Sequence, residues 1–341
     1  MDNATVLEAS GFPFNGPVIR VLTTDSVNDG FQTLVKNDIL SAPVYNPESK
    51  TYVGFFDISD ALQLIYLSDF FFHLVCEMAP KDVLRGSASE ILSTQEQLFI
   101  GQIFEDPNDT TLNRPKWAPV KEHDTLHHVL ELLADGCRRV PVMNDQGEIL
   151  KIVSQSAVVA ALENLLEAQE KSKVPVNEIF NKSLHDLNLG LKPVKCLRAD
   201  SNTVKDAFGL MTENGISAVG ITDDDGSLFT CITSKDIRAF RDVKSAMIQR
   251  FQSEGITSGS LKVLMEMNLR DFTAFTRQSL HEINISAISV VVRETTTLRT
   301  VIAKLAKTKK HRVFIVDERS HPIGVVSVSD VAQFLISHKL I

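Results

Sequence analysis

Two short stretches between residues 309 and 335 carry side chains that could do chemistry. His311 and Arg312 stand at the head of the run Lys-Lys-His-Arg-Val-Phe-Ile-Val-Asp. Ser327, Ser329 and Asp330 stand where Gly-Val-Val-Ser-Val-Ser-Asp gives way to Val-Ala-Gln-Phe-Leu. The first pair can carry positive charge. The second group offers hydroxyls, a carboxylate and the free N–H groups of a helix start, a common place for an anion. The chemistry implied is capture of a charged ligand.

The elements that hold these groups follow from pattern. The first run is apolar and rich in β-branched residues, which predicts a strand. Glu318 to Pro322 is a polar loop of hairpin length. Ile323 to Val328 reads as the second strand, with Ser329 and Asp330 as N-cap types before an apolar helix start.

The pattern recurs three more times. Repeat one has Ser41-Ala42-Pro43-Val44-Tyr45, a turn, then Tyr52 to Asp60. Repeat two has Arg138 to Met143, a turn, then Leu150 to Ser154. Repeat three has Ser217 to Ile221, a turn at Asp223-Asp224-Asp225-Gly226, then Leu228 to Asp236. Apolar or small residues at i, i+3, i+4 and i+7 precede each hairpin: Val27, Gly30, Phe31, Leu34; Leu126, Val129, Leu130, Leu133; Val204, Ala207, Phe208, Met211; and Leu298, Val301, Ile302, Leu305. That spacing is one helix face. Extended segments at Val18–Leu22, Pro119–Val120, Pro193–Leu197 and Ile288–Val292 come before these helices, so each unit reads strand, helix, strand, strand, helix. The equivalents of Asp330 are Asp60, Ala157 and Asp236, spaced by 97, 79 and 94 residues. Insertions therefore fall at Pro80–Pro115 and Arg241–Ser286. The charged segment Gln169–Pro175 lacks apolar period and is the expected domain boundary. One unit alone exposes apolar faces, so units should pair.

Composition narrows the function. A net charge of −8 argues against a general nucleic-acid or anionic-membrane binder. The apolar stretch Phe55 to Met78 is broken by Asp57, Asp60, Asp69 and His73, and reads as core rather than a membrane span. Four dispersed cysteines without a Cys-x-x-Cys read as free thiols of a reducing compartment. No basic region precedes an apolar run at the N-terminus, so no secretory signal is visible. The expected location is the cytoplasm, with the nucleus also open to it.

These motifs resemble cystathionine-β-synthase (CBS) motifs paired into Bateman domains, in an arrangement similar to the gamma regulatory subunits of AMP-activated protein kinases. Lys310-His311-Arg312-Val313 with Val325 to Asp330, and Ala42-Pro43 with Gly54 to Asp60, carry the resemblance most strongly. It implies an α/β fold of four CBS repeats forming two Bateman domains in a disc-like particle. Residues 13–168 would hold the first two repeats (about 17–78 and 116–168), and residues 176–341 the last two (about 190–250 and 285–341). It further implies AMP, ADP or ATP bound in clefts between paired repeats, with no other cofactor. Asp60, Asp236 and Asp330 would hold ribose hydroxyls. Ser59, Thr233, Ser234, Ser327 and Ser329 would meet phosphate, with Ser217 and Ala218 at the site in repeat three. Arg138, Arg139, His311 and Arg312, with Lys235, would neutralise phosphate charge. The implied partners are a kinase catalytic subunit and its scaffold subunit, and the role is energy sensing.

The sequence departs from that pattern. Ala157 cannot hold a ribose, so that site is expected to be empty. Ser156 replaces a lysine, Leu40 an arginine, and Asp57 a threonine whose place a carboxylate would make repulsive to phosphate. Arg138 replaces a histidine and restores charge.

Plainer readings compete. The three aspartates also fit helix caps, and the basic pairs also fit solvated strand starts. Asp223-Asp224-Asp225-Gly226 lacks the alternating ligands of a calcium loop and reads as a turn. His123, His127 and His128 read as a surface helix start, and Ala61–Val75 as a core helix. No glycine-rich phosphate loop, nucleophile elbow or kinase signature is present, so no catalysis is expected. A free-standing CBS regulator of another enzyme or transporter, or a scaffold that has lost its ligand, remains an alternative to the kinase subunit.

Overall fold

The computed structural model describes residues 18–64, 100–104, 116–190, 192–241, 264–279 and 289–340. Four helices in it open alike. Ser26, Thr125, Thr203 and Thr297 hold extended backbone while their hydroxyls accept the N–H of Asp29, His128, Asp206 and Thr300. Each satisfies one orphan donor of its helix. The helices run Val27–Lys36, Leu126–Ala134, Val204–Glu213 and Leu298–Thr308. The i, i+3, i+4, i+7 residues are their buried face, all but Leu126 being fully buried. Burial of each Val, Leu, Ile, Phe or Met stabilises by about 1.5–3 kcal/mol.

Each helix links a short strand to a hairpin. The short strands are Val21–Leu22, Val120–Lys121, Cys196–Arg198 and Val291–Val292. Four separate three-stranded sheets result. In each, the short strand runs parallel to the first hairpin strand, and the hairpin is antiparallel. Ser41 pairs with Asp57, Arg139 with Ser154, Ala218 with Thr233, and Arg312 with Ser327. All four hairpins shift register at the same step, Val44/Tyr45, Val142/Met143, Ile221/Thr222 and Ile315/Val316. The four units are therefore one repeat, as the pattern predicted.

A second helix follows three of the hairpins, over residues 58–64, Gln155–Lys171 and Val328–Ser337. In repeat three a 3-10 helix, Ser234–Arg241, takes its place. The core helix expected at Ala61–Val75 lies outside the described residues after Leu64, as does most of the Phe55–Met78 stretch. Among the described residues no helix is long and apolar enough to cross a membrane.

The chain divides into two compact units that interleave along the sequence. One takes Met1–Val18, Pro115–Val194 and Ser289–Ile341, and so holds repeats two and four. The other takes Ile19–Arg114 and Lys195–Ile288, and holds repeats one and three. These compact units join repeats that are not consecutive in the sequence. Helix faces explain this composition. In the first unit Val159, Leu162 and Leu166 of repeat two share a core with Leu298, Val301, Leu305, Val331 and Leu335 of repeat four. In the other, Phe31, Leu34 and Leu62 share one with Ala207, Phe208, Met211 and Ile237. The Gln155–Lys171 helix also runs into the segment expected to be a boundary, and ends with its C-cap at Ser172.

Ion pairs lock the same contacts. In the repeat-two/repeat-four unit, buried Glu163 meets Arg299, which also donates to Glu170 at 2.7 Å, while Lys307 meets Glu167 at 2.9 Å. In the other unit, buried Arg238 donates to the Asp38 carboxylate at 2.5 Å and to the Ile39 carbonyl at 2.9 Å. The Arg241–Ser286 insertion contributes a helix, Leu269–Ser279. Its Arg270 grips Asp200 through two bonds of 2.7 Å and Asp223 through one of 2.6 Å. The Asp223–Gly226 stretch is a hairpin turn, closed by Gly226 N–H donating to Asp223 O at 3.0 Å with Gly226 at φ 84°.

The segment joining repeats two and three is strapped onto repeat four. Leu184 and His185 donate to Thr296 and Glu294 carbonyls at 2.9 Å each, and Val325 donates to the Gly190 carbonyl at 2.9 Å. Gly190 has φ +77°, and a Cβ there would press on the Val326 side chain and lie 2.9 Å from the Val325 oxygen. An L side chain in that region is strained by about 1–2 kcal/mol before any clash. Gly190→Ala is therefore expected to lower stability by about 2 kcal/mol or more. Urea unfolding checks this, and an unchanged midpoint would contradict it.

Candidate functional site

The shared register places every nominated residue at one of two edges of its repeat. The residue before each hairpin, Leu40, Arg138, Ser217 or His311, accepts through its carbonyl the N–H of the first residue of the following helix. These bonds run from Ile58 at 2.8 Å, Gln155 at 3.4 Å, Ser234 at 3.1 Å and Val328 at 2.9 Å. Strand start and helix start are thus stitched together, which sets the basic pairs beside the hydroxyl and acid groups. It also corrects an expectation: these N–H groups are not free for an anion. The N-cap of the repeat-four helix is Ser327, and Ser329 and Asp330 are its second and third residues inward.

The three aspartates all cap. Asp60 Oδ2 accepts the Asp57 N–H at 2.7 Å. Asp236 Oδ2 accepts the Thr233 N–H at 2.6 Å and its hydroxyl at 2.8 Å. Asp330 Oδ2 accepts the Ser327 N–H at 2.7 Å and its hydroxyl at 2.5 Å. The cap reading is realised at each position, with one carboxylate oxygen committed to it. Asp330 Oδ1 points elsewhere, to the Lys192 ammonium at 2.9 Å. Burial raises the Asp330 pKa, but the Ser327 and Lys192 hydrogen bonds outweigh it and hold the carboxyl below its usual range. It is a carboxylate at neutral pH.

Repeat two keeps only half of this cap. Ser154 Oγ accepts the Ala157 N–H at 3.2 Å, and no carboxylate answers it. Ala157→Asp should complete the box and raise stability by about 0.3–1 kcal/mol. Chemical denaturation reads this directly; a lowered midpoint would contradict it.

The repeats differ in what surrounds the acid. In repeat one the Ser59 hydroxyl donates to buried Asp57 at 2.7 Å and its N–H does so at 2.9 Å. Ser59 is thus turned to a carboxylate rather than left for phosphate, and a second carboxylate beside it repels an anion. In repeat three Ser234 is buried, Thr233, Lys235 and Asp236 are half-buried, and uncharged Ser217 and Ala218 occupy the positions of the basic pairs.

The unit of repeats two and four brings the basic residues and hydroxyls together. Ser156 Oγ lies 3.5 Å from His311 Nδ1. The Ser329 hydroxyl donates to Gln155 Oε1 at 2.6 Å. The two helix starts therefore touch, each beside a half-buried basic pair, Arg138–Arg139 and His311–Arg312. Asp60, Ser59 and the repeat-three residues belong to the other compact unit. Two participants had not been nominated, Gln155 and Lys192. Gln155 stands at the first helical position next to Ser156, which register alone could have flagged. Lys192 comes from the strap, 138 residues from Asp330, and no local signal points to it.

Other features hold none of the nominated residues. A shallow open groove on the Val27–Lys36 helix is lined by Asp29, Gln32, Thr33, Lys36 and Asn37. Glu122, His123 and Asp145 can bring one ligand atom each within 4.8 Å of one another, but the trio lies largely exposed. His127 and His128 turn to Glu131 at 3.4 and 3.6 Å, as a surface helix start would.

Comparison with known proteins gives this geometry a family. The model described as "CBS domain" matches residues 112–164 and 283–337, which are repeats two and four. By sequence the chain is 21% identical to Protein sds23/moc1 of Schizosaccharomyces pombe, over 92% of this chain and 75% of that protein. It is 26% identical to Protein SDS23 of Kluyveromyces lactis, over 92% of this chain and 59% of that protein. The chain thus spans between half and three quarters of these relatives, and neither name is that of a kinase subunit. Among solved structures it resembles MJ1225 of Methanocaldococcus jannaschii, put forward as an archaeal homolog of g-AMPK. The TM-score is 0.65 at 16% identity, covering 97% of this chain and 100% of that one. That likeness shows the fold, with its paired Bateman domains. Repeats two and four are thus CBS domains by the family match, and repeats one and three share their strand order and hairpin register.

Proposed function

We propose that this chain is a regulatory protein without catalysis of its own, which binds adenine nucleotides and changes how it presents itself to a protein partner. The observation that carries the reading is the cluster around the repeat-four helix start. An ionised carboxylate, Asp330, stands three residues from the start of a helix whose neighbours are His311, Arg312, Ser156 and Ser329. A carboxylate can accept both vicinal hydroxyls of a ribose, and a hydrogen bond to such a charged group is worth about 1.5–3 kcal/mol. Arginine's fork suits phosphate oxygens. Repeat four is the favoured site, and repeat two, with Ala157, lends charge rather than a ribose contact.

AMP, ADP and ATP differ in charge and length, so they would bias two states of the molecule only by binding them unequally. The partner in the kinase version of this reading is a catalytic subunit with its scaffold. The Sds23 relatives are not named as kinase subunits, which keeps a second version open, in which the chain regulates another enzyme or a transporter. Co-purification from cells separates the two. The described cysteines, Cys137, Cys196 and Cys231, are free thiols, and burial pushes Cys196 up to about 11, which fits a reducing cytoplasm or nucleus.

Calorimetric titration of the whole chain with AMP, ADP and ATP tests the proposal. Saturable heat with at least one of them is expected. Silence with all three would leave the chain as an interaction scaffold.

A further inference from the structure

We infer that Lys192 is the specificity residue of the repeat-four site, making ribose capture by Asp330 conditional on a negative charge carried by the same ligand. The inference rests on the nucleotide-binding reading above and goes beyond it. Asp330 spends Oδ2 on Ser327, twice. Oδ1 is the oxygen turned outward from the cap, and the Lys192 ammonium sits on it at 2.9 Å. A ribose hydroxyl that approaches Asp330 meets this ammonium first.

Lys192 is there because the strap puts it there. Its own N–H donates to the Gly190 carbonyl at 3.0 Å, and the same carbonyl accepts the Val325 N–H at 2.9 Å. The backbone next to Lys192 is thus sewn to the strand that leads into the Ser327 cap. The side chain is not held so firmly. It is 55% exposed, against 23% for Asp330, so the ammonium can swing while the carboxylate stays.

Two ligands then fare differently. A neutral nucleoside that takes Oδ1 displaces the ammonium and offers it nothing in return. A nucleotide displaces the same ammonium and supplies phosphate oxygens to receive it, replacing one charge-assisted contact by another. The ion pair therefore penalises adenosine and spares AMP. A lysine does this better than an arginine would, because its charge is a compact point on a flexible stem.

The test uses the full chain and two probes, adenosine and AMP, titrated into wild type, Lys192→Met and Lys192→Arg. Lys192→Met keeps the apolar stem and removes the charge. It should bind adenosine about threefold tighter, the scale of a half-exposed ion pair, and the preference for AMP over adenosine should fall about tenfold. Lys192→Arg should keep most of the preference. Raising salt should tighten adenosine binding to wild type and leave Lys192→Met unmoved. A wild type that binds AMP, with a preference unchanged within twofold in Lys192→Met, overturns the role of Lys192 and leaves nucleotide binding standing. If neither wild type nor Lys192→Met binds either probe, the role of Lys192 falls, and nucleotide binding falls with it when ADP and ATP are silent too. A wild type silent to adenosine and a Lys192→Met variant that binds it would support the inference.

Discussion

Arg299→Ala is expected to destabilise the unit of repeats two and four by about 3–5 kcal/mol, the usual result of breaking a buried ion pair from one side. Glu163 is 3% exposed and lies at the contact between the Gln155–Lys171 and Leu298–Thr308 helices. Arg299 donates to it and to Glu170 at once. Without the guanidinium, the Glu163 carboxylate keeps only Lys307, 3.4 Å away and largely exposed. A buried charge that poorly paired must be desolvated with little return. At roughly 2–4 °C per kcal/mol for a unit of this size, the loss is visible in a melting curve. Replacing both partners with apolar residues, Arg299→Met with Glu163→Leu, should recover much of the loss, because the desolvation penalty disappears together with the pair. A loss under about 1 kcal/mol for Arg299→Ala would place the pair with exposed ones, which contribute little.

Asp330→Asn should weaken nucleotide binding by about tenfold to a hundredfold. The change removes the charge but keeps the shape, so a ribose hydroxyl loses a charge-assisted acceptor worth about 1.5–3 kcal/mol. The same change weakens the cap and its interaction with the helix dipole by about 0.3–1 kcal/mol, leaving the unit folded. The two effects separate cleanly, since the stability loss is small and the affinity loss large. Full affinity in a folded Asp330→Asn variant would show that Asp330 is a cap and nothing more.

Much of the fold could be read before any coordinates because its signals are local and repeated. The helix faces, the N-cap hydroxyls and the hairpin turns depend on neighbours within a few residues, and four copies reinforce each other. Alignment of Arg139 with Arg312, and of Ala157 with Asp330, is borne out by their identical register. What escaped the reading is non-local. The interleaving of repeats depends on which apolar helix faces meet, and all four faces look alike in sequence. Lys192, Glu163 and Arg299 gain their roles only from partners more than a hundred residues away. Ser59 is a related case: Asp57 reads in sequence as a neighbour repulsive to phosphate, but its direct hold on the Ser59 hydroxyl needed coordinates.

A crystal of the chain soaked with AMP tests the central claim most directly. The account predicts a ribose with its hydroxyls on Asp330 Oδ1, the phosphate turned toward basic groups of repeats two and four, and Lys192 moved off the carboxylate. A saturated crystal with AMP bound elsewhere, and the Lys192–Asp330 pair still closed, would contradict it.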